Sequence, residues 1–148
     1  MKILIETSVK ESVKEVFSKF NGDLFKALAP PFPPVNLERY DGEQVGDVVS
    51  MKLNFILFKQ NWTSLITANE QNENRSFFVD EGTELPFFLS EWEHRHVIEN
   101  RGGTTFIVDD IHFKTPFVLT DYLMYPLLYL QFLYRKPIYR KLFGKSVA

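Results

Sequence analysis

The residues best equipped for chemistry in this 148-residue chain lie in one stretch, Trp92-Glu93-His94-Arg95-His96 followed by Asp109-Asp110-Ile111-His112-Phe113. Strand side chains alternate between faces, so Trp92, His94, His96 and Ile98 share one face. On the next strand Thr105, Ile107, Asp109, Ile111 and Phe113 share a face, with Phe106, Val108, Asp110 and His112 on the other. Turning the Asp109 set inward leaves Asp110 and His112 near solvent and brings Asp109 towards His94 or His96 across the sheet. A buried imidazole beside a carboxylate admits three roles. It can be a structural pair in which each group offsets the other's desolvation. It can anchor the polar end of an apolar ligand. It can also do chemistry, either acid–base transfer or metal binding through two histidines and a carboxylate. His-x-His is too common on strands to carry a metal site alone. Neither a metal nor a cofactor is therefore expected, and no catalytic residue is assigned.

Other candidates are weaker. The sequence contains no nucleophile elbow with Ser/His/Asp order, no phosphate-cradling glycine loop and no cofactor fingerprint. Tyr122, Tyr125, Tyr129 and Phe132 recur at helical spacings of 3, 4 and 3, forming an aromatic ridge that suits a core or a ligand wall. Gly82–Phe88, with Pro86 and two adjacent Phe residues, reads as a turn or as a gate to a cavity. Asp80 and Glu81 read as a solvated strand end.

The elements that must position these groups follow from periodicity and turn chemistry. Residues 2–7 read as a strand. Ser8 and Glu11 have capping-box spacing for a helix carrying Val9, Val13, Val16, Phe17 and Phe20, stopped by Asn21-Gly22. Asp23 caps a second short helix, Leu24–Leu28. Pro30-Pro31-Phe32-Pro33-Pro34 is an extended linker. Strands are expected at Val35–Tyr40, Gly46–Phe58, Trp62–Ala68, Ser76–Glu81, Leu89–Glu99 and Thr104–Lys114. A single helix, kinked at Pro126, is expected from Val118 to about Leu142. Thr120, Asp121, Gln131 and Arg135 form its narrow polar stripe, so burial on most sides is expected. Its uncharged run from Tyr122 to Tyr134 falls short of the ~20 residues that a membrane span needs. The layout is α+β, a curved antiparallel sheet wrapped around a terminal helix with space between.

Composition narrows the function classes. Of 17 Lys/Arg and 19 Asp/Glu, five cations and no acid fall in residues 135–148, leaving an acidic body. Such a body argues against a phosphate-tracking groove, and so against nucleic acid as a partner. The basic end, Arg135, Lys136, Arg140, Lys141 and Lys145, suits a weak contact with an anionic membrane surface, or simply a solvated helix end. Cysteine is absent, and the first apolar run is too short for a signal peptide, so a cytoplasmic location is expected. With 15 Phe, 6 Tyr and 2 Trp there are rings enough to line a cavity.

Read in order, Leu28-Ala29-Pro30-Pro31, Gly46, Trp62 with Ile66, Phe78-Val79-Asp80-Glu81-Gly82, Leu85-Pro86-Phe87, Trp92 with His94 and His96, Gly103-Thr104, Asp109, Phe113 and Pro116 span the chain. This ordered set resembles the START-like or helix-grip (SRPBCC) superfamily, in particular its small bacterial ligand-binding proteins. The resemblance implies one domain over residues 1–148, a seven-stranded antiparallel sheet gripping the C-terminal helix, and an apolar cavity between them. Members bind lipids, sterols, quinones or polyketides, and some are cyclases. Phe113 stands where relatives often carry Tyr, which removes a phenol donor. The expected function is binding of a lipid-, quinone- or polyketide-like molecule. A cyclase or isomerase using a His/Asp pair is the alternative. The expected lining is Met51, Leu53, Phe55, Trp62, Phe78, Trp92, Ile111, Phe113, Tyr122, Tyr125 and Tyr129, with His94, His96 and Asp109 at the polar end.

Overall fold

The computed structural model describes residues 1–145. Along the chain run β1 (Lys2–Val9), α1 (Val13–Ser18), α2 (Gly22–Leu28), β2 (Val35–Tyr40), β3 (Val48–Phe55), β4 (Phe58–Gln71), β5 (Arg75–Glu84), β6 (Glu91–Arg101), β7 (Thr104–Lys114), α3 (Val118–Leu133) and α4 (Arg135–Phe143). The strands form one antiparallel sheet in the order β1-β7-β6-β5-β4-β3-β2. Strands β2 to β7 therefore follow one another as neighbours. The chain crosses from one sheet edge to the other only once, through α1, α2 and the proline run. Register shifts at Leu37/Arg39, Thr63/Ser64 and Ile66/Ala68 mark bulges, which bend strands and help the sheet curve.

Local chemistry explains the boundaries, including those that differ from expectation. The tetrad Ser-Val-Lys-Glu occurs twice in succession, at Ser8–Glu11 and Ser12–Glu15. The second caps α1: Glu15 N–H donates to Ser12 Oγ at 3.2 Å, and Ser12 N–H donates to Glu15 Oε2 at 3.1 Å. Ser8 is kept for the sheet, where Ser8 and Val9 pair with Phe106 and Thr105. Asn21, rather than Asp23, caps α2 by accepting from Leu24 N–H at 2.9 Å.

The strand expected over Gly46–Phe58 is in fact β3, a turn and the start of β4. Ile56 and Leu57 form that turn and are 88% and 92% exposed. The long helix is also two. Pro126 is accommodated within α3, and the break comes at Tyr134. Pro137 has no N–H to offer the carbonyl of Leu133, four residues earlier, which is where α3 ends. No helix among the described residues is long and apolar enough to cross a membrane.

Two apolar clusters fill the concave side. One joins α1, α2 and α4 to the sheet through Val16, Phe17, Phe20, Leu28, Phe78, Ile98, Tyr139 and Phe143. The other packs Leu128 and Phe132 of α3 onto Ile3, Ile5, Trp92, Ile111 and Phe113. Helix α3 touches β1, β7 and α4, and stands off from the opposite limb of the sheet. Its outer side, with Val118, Leu119, Tyr122 and Leu123, is exposed. The expectation of burial on most sides is thus corrected, because only one layer, the sheet, covers this helix.

Candidate functional site

Between α3 and the limb formed by β2 to β6 lies a cavity of about 620 Å³. Met51, Leu53 and Phe55 enter it from β3, Trp62, Ser64 and Ile66 from β4, Phe78 and Asp80 from β5, and Trp92, His94 and His96 from β6. The period-two alternation of each strand delivers these sets. From the helices come Met124, Leu127, Leu128, Gln131, Phe132 and Arg135, a stripe at helical spacing. Leu24, Phe25 and Leu28 of α2 also line it, as do Phe32, Phe87 and Phe88; Phe87 is 65% exposed, and its ring lies 5.8 Å from that of Phe58.

The polar end is built on three adjacent strands. The Nε2–H of His94 donates to Asp109 Oδ1 at 2.9 Å, and that of His96 donates to Asp80 Oδ2 at 2.6 Å. Trp92 Nε1–H donates to the other Asp80 oxygen at 3.1 Å. His94 Nδ1 faces Asp80 Oδ2 at 3.7 Å, beyond hydrogen-bond range. The two imidazole rings lie 3.6 Å apart, and Phe78 stacks on the far side of His96 at 4.2 Å. Arg135 lies over Phe132 and reaches Asp109 at 3.5 Å. His94 Nε2 therefore has a fixed partner, while Asp109 Oδ2 and His96 Nδ1 are buried without one among the described residues.

Electrostatics follow from that packing. Burial, helped by neighbouring His94, pushes the His96 pKa down to about 4, so the ring is neutral at physiological pH. Burial opposes ionisation of Asp80, but the His96 hydrogen bond and the nearby imidazoles outweigh it and hold the carboxyl below its ordinary range. The same balance, with His94 and Arg135 as the favourable partners, holds Asp109 down. Burial raises the pKa of Tyr139.

The structure brings together much of the set chosen from the sequence and separates the rest. Met51, Leu53, Phe55, Trp62, Phe78, Trp92, His94 and His96 all line the cavity. Asp109 is on the concave face but sits behind His94, 1% exposed, and does not reach the cavity. Ile111 and Phe113 lie beneath Leu128 and Phe132 in the packed core, so they too fall outside the wall. Tyr122, Tyr125 and Tyr129 are likewise not part of it. The cavity stripe runs about a third of a turn round α3 from their ridge, at 100° per residue. Tyr122 is exposed, and Tyr125 and Tyr129 stack on each other at 6.1 Å.

Asp80 was missed, having been read as a solvated strand end. It shares the alternation of Phe78, and that signal alone sufficed to turn it inward. Gln131 and Arg135, expected in the narrow polar stripe of the terminal helix, also enter the cavity. With Arg135 turned inward and Lys136 donating to the Glu6 carbonyl at 2.7 Å, two of the five terminal cations are engaged within the fold.

No family model matches the sequence, and neither does any curated protein. Solved structures do. Protein Ms6760 from Mycobacterium smegmatis superposes with a TM-score of 0.68 at 15% identity, covering 99% of this chain and 93% of that one. The Zhui aromatase/cyclase from Streptomyces sp. R1128 gives 0.61 at 12% identity, over 93% and 89% of the two chains. Ginseng major latex-like protein 151 from Panax ginseng gives 0.56 at 15% identity, over 90% and 95%. This chain has the START-like, helix-grip fold. Identities this low establish the fold alone. In this helix-grip protein the gripped element is α3 with α4, and the cavity lies where the sheet curves away from α3.

Proposed function

We propose that this helix-grip protein, acting as one domain over its whole length, binds a hydrophobic small molecule in the cavity between the sheet and α3. The observation that carries the reading is the cavity itself: about 620 Å³, walled mainly by apolar and aromatic side chains, with Asp80, His94, His96, Gln131 and Arg135 gathered towards one end. Small-molecule sites typically fall between ~300 and ~1,000 Å³ and combine an apolar wall with a few placed polar groups. The drive is burial of ligand surface, about 25 cal/mol per Å² removed from water, less the cost of ordering. Rings line this wall with little side-chain entropy to lose, so it is preorganised for that burial.

A lipid-, quinone- or polyketide-like ligand suits an apolar space with a few polar groups. The aromatase/cyclase among the fold neighbours suggests polycyclic or polyketide chemistry by analogy only. A cytoplasmic location belongs to the same reading and is supported by the absence of cysteine. Contact with an anionic membrane surface has less support, since Arg135 and Lys136 are engaged within the fold.

Native mass spectrometry after gentle extraction from the source cells tests the proposal. The expected spectrum contains the chain plus one apolar molecule of defined mass. A bare chain, together with no saturable uptake of any apolar probe, contradicts it.

A further inference from the structure

One confrontation at the polar end is unresolved by the hydrogen bonds. His94 gives its Nε2–H to Asp109, and its Nδ1 faces Asp80 Oδ2 across 3.7 Å, too far for a hydrogen bond. A metal ion held between these two atoms would bond to both. His96 Nε2 lies on the same Asp80 oxygen at 2.6 Å, so two imidazole nitrogens and one carboxylate oxygen converge on a single point. Tetrahedral coordination with bonds of about 2.0–2.2 Å puts ligand atoms roughly 3.3 Å apart. The observed separations of 2.6 and 3.7 Å bracket that value, and all three ligand atoms lie within 4.8 Å of one another.

We infer that Asp80, His94 and His96 form a binding site for one divalent first-row transition-metal ion, with its remaining coordination position open to the cavity.

Part of the surroundings suits a metal site: His94 and Asp80 are each held from behind, while His96 Nδ1 has no partner among the described residues. Histidine ligands are ordinarily oriented by a carboxylate on the other ring nitrogen, and Asp109 does this for His94. Trp92 Nε1–H holds the remaining Asp80 oxygen and so presents Oδ2 to the shared point. Two imidazoles and one carboxylate suit zinc, cobalt or iron(II), whereas calcium and magnesium favour all-oxygen sets. On binding, the ion takes the place of the proton between His96 and Asp80. The His96 proton moves from Nε2 to Nδ1, so the ring stays neutral and no oxidation change is involved. The carboxylate differs from that weighed from the sequence, where Asp109 was the candidate. The site needs the proposed ligand cavity only for its open position, where a ligand oxygen can coordinate.

Chelator-treated protein titrated with Co²⁺ and Zn²⁺ tests this. One equivalent of Co²⁺ is expected to bind with a visible d–d spectrum of low coordination number, to be displaced by Zn²⁺, and to give two paramagnetically shifted imidazole N–H resonances from the His94 and His96 rings. His96→Ala and Asp80→Asn should each weaken binding at least tenfold, with no change in His112→Ala, which alters an exposed histidine on the other face. Absence of saturable binding by the unaltered protein overturns the inference. So does a site that survives both substitutions, or a Co²⁺ form without the two shifted resonances. The resonances decide the matter even where a variant fails to fold. Uptake of an apolar probe by the chelated protein separates the two proposals: probe without metal sinks only the metal site, and metal without probe sinks only the cavity reading.

Discussion

Asp80 shows how much of a site a single side chain can organise. It accepts from His96 and Trp92 and faces His94, so its charge ties two histidines to one end of an otherwise apolar hollow. Its consequence for pH dependence follows through its partner His96. His96 has a folded pKa of about 4 against an ordinary 6.5, so between those values the unfolded chain binds more protons than the native one. Its contribution is therefore whole above about pH 6.5 and is lost as pH falls towards 4. Asp80 and Asp109, held below 3.8, add losses in the same direction at still lower pH. Urea denaturation of the chelated protein should show stability falling by about 3 kcal/mol between pH 7 and pH 4 from His96 alone, and His96→Gln should flatten that slope. Stability that is level or rises on acidification contradicts the assignment. The histidines and Asp109 were legible as a group from alternation on two adjacent strands, although Phe106 and Val108 on the other face left the inward side of β7 open. Asp80 was not, because a carboxylate near a strand end is usually solvated, and the Trp92 and His96 hydrogen bonds that keep it inside are made across strands rather than along the chain.

At the scale of elements, legibility followed the strength of local punctuation. Strand β7 and its hairpin were plain because Gly102 and Gly103 adopt positive φ, 60° and 91°, in a tight turn that suits glycine. The β3–β4 turn was hidden because Ile56 and Leu57 continue the apolar pattern through it, and only the pairing of Phe55 with Phe58 reveals the reversal. The repeated Ser-Val-Lys-Glu tetrad left two equal local solutions for the first helix. The choice between them was made by long-range pairing of Ser8 and Val9 with β7. Two serines of identical local context should accordingly behave differently. Ser12→Ala removes one half of the capping box and should cost about 1 kcal/mol. Ser8→Ala, which breaks no side-chain hydrogen bond among the described residues, should cost less than about 0.5 kcal/mol. Urea midpoints compared at constant m-value measure both, and equal losses would contradict the cap assignment.

For the whole molecule, the central fact is that α3 stands against β1 and β7 and leaves the curved limb opposite unfilled. The order of elements, the seven strands and the terminal helix were foreseeable from periodicity and from the resemblance. Which face of α3 turns inward was not. The Tyr122, Tyr125, Tyr129 ridge and the Met124, Leu128, Phe132 stripe are both apolar, and a helix with apolar residues on most of its circumference does not specify its rotation. Packing did, by placing Leu128 and Phe132 on Ile111 and Phe113.

Both of the chain's tryptophans, Trp62 and Trp92, line the cavity with ring centroids 4.7 Å apart. Energy transfer from them to a conjugated-polyene fatty acid is therefore the most direct test of whether the cavity takes an apolar guest. The account predicts saturable quenching of the tryptophans with sensitised probe emission, complete near one equivalent and reversed by an excess of a non-absorbing apolar competitor. Quenching that rises linearly without saturation, or tryptophan emission untouched by the probe, would contradict it.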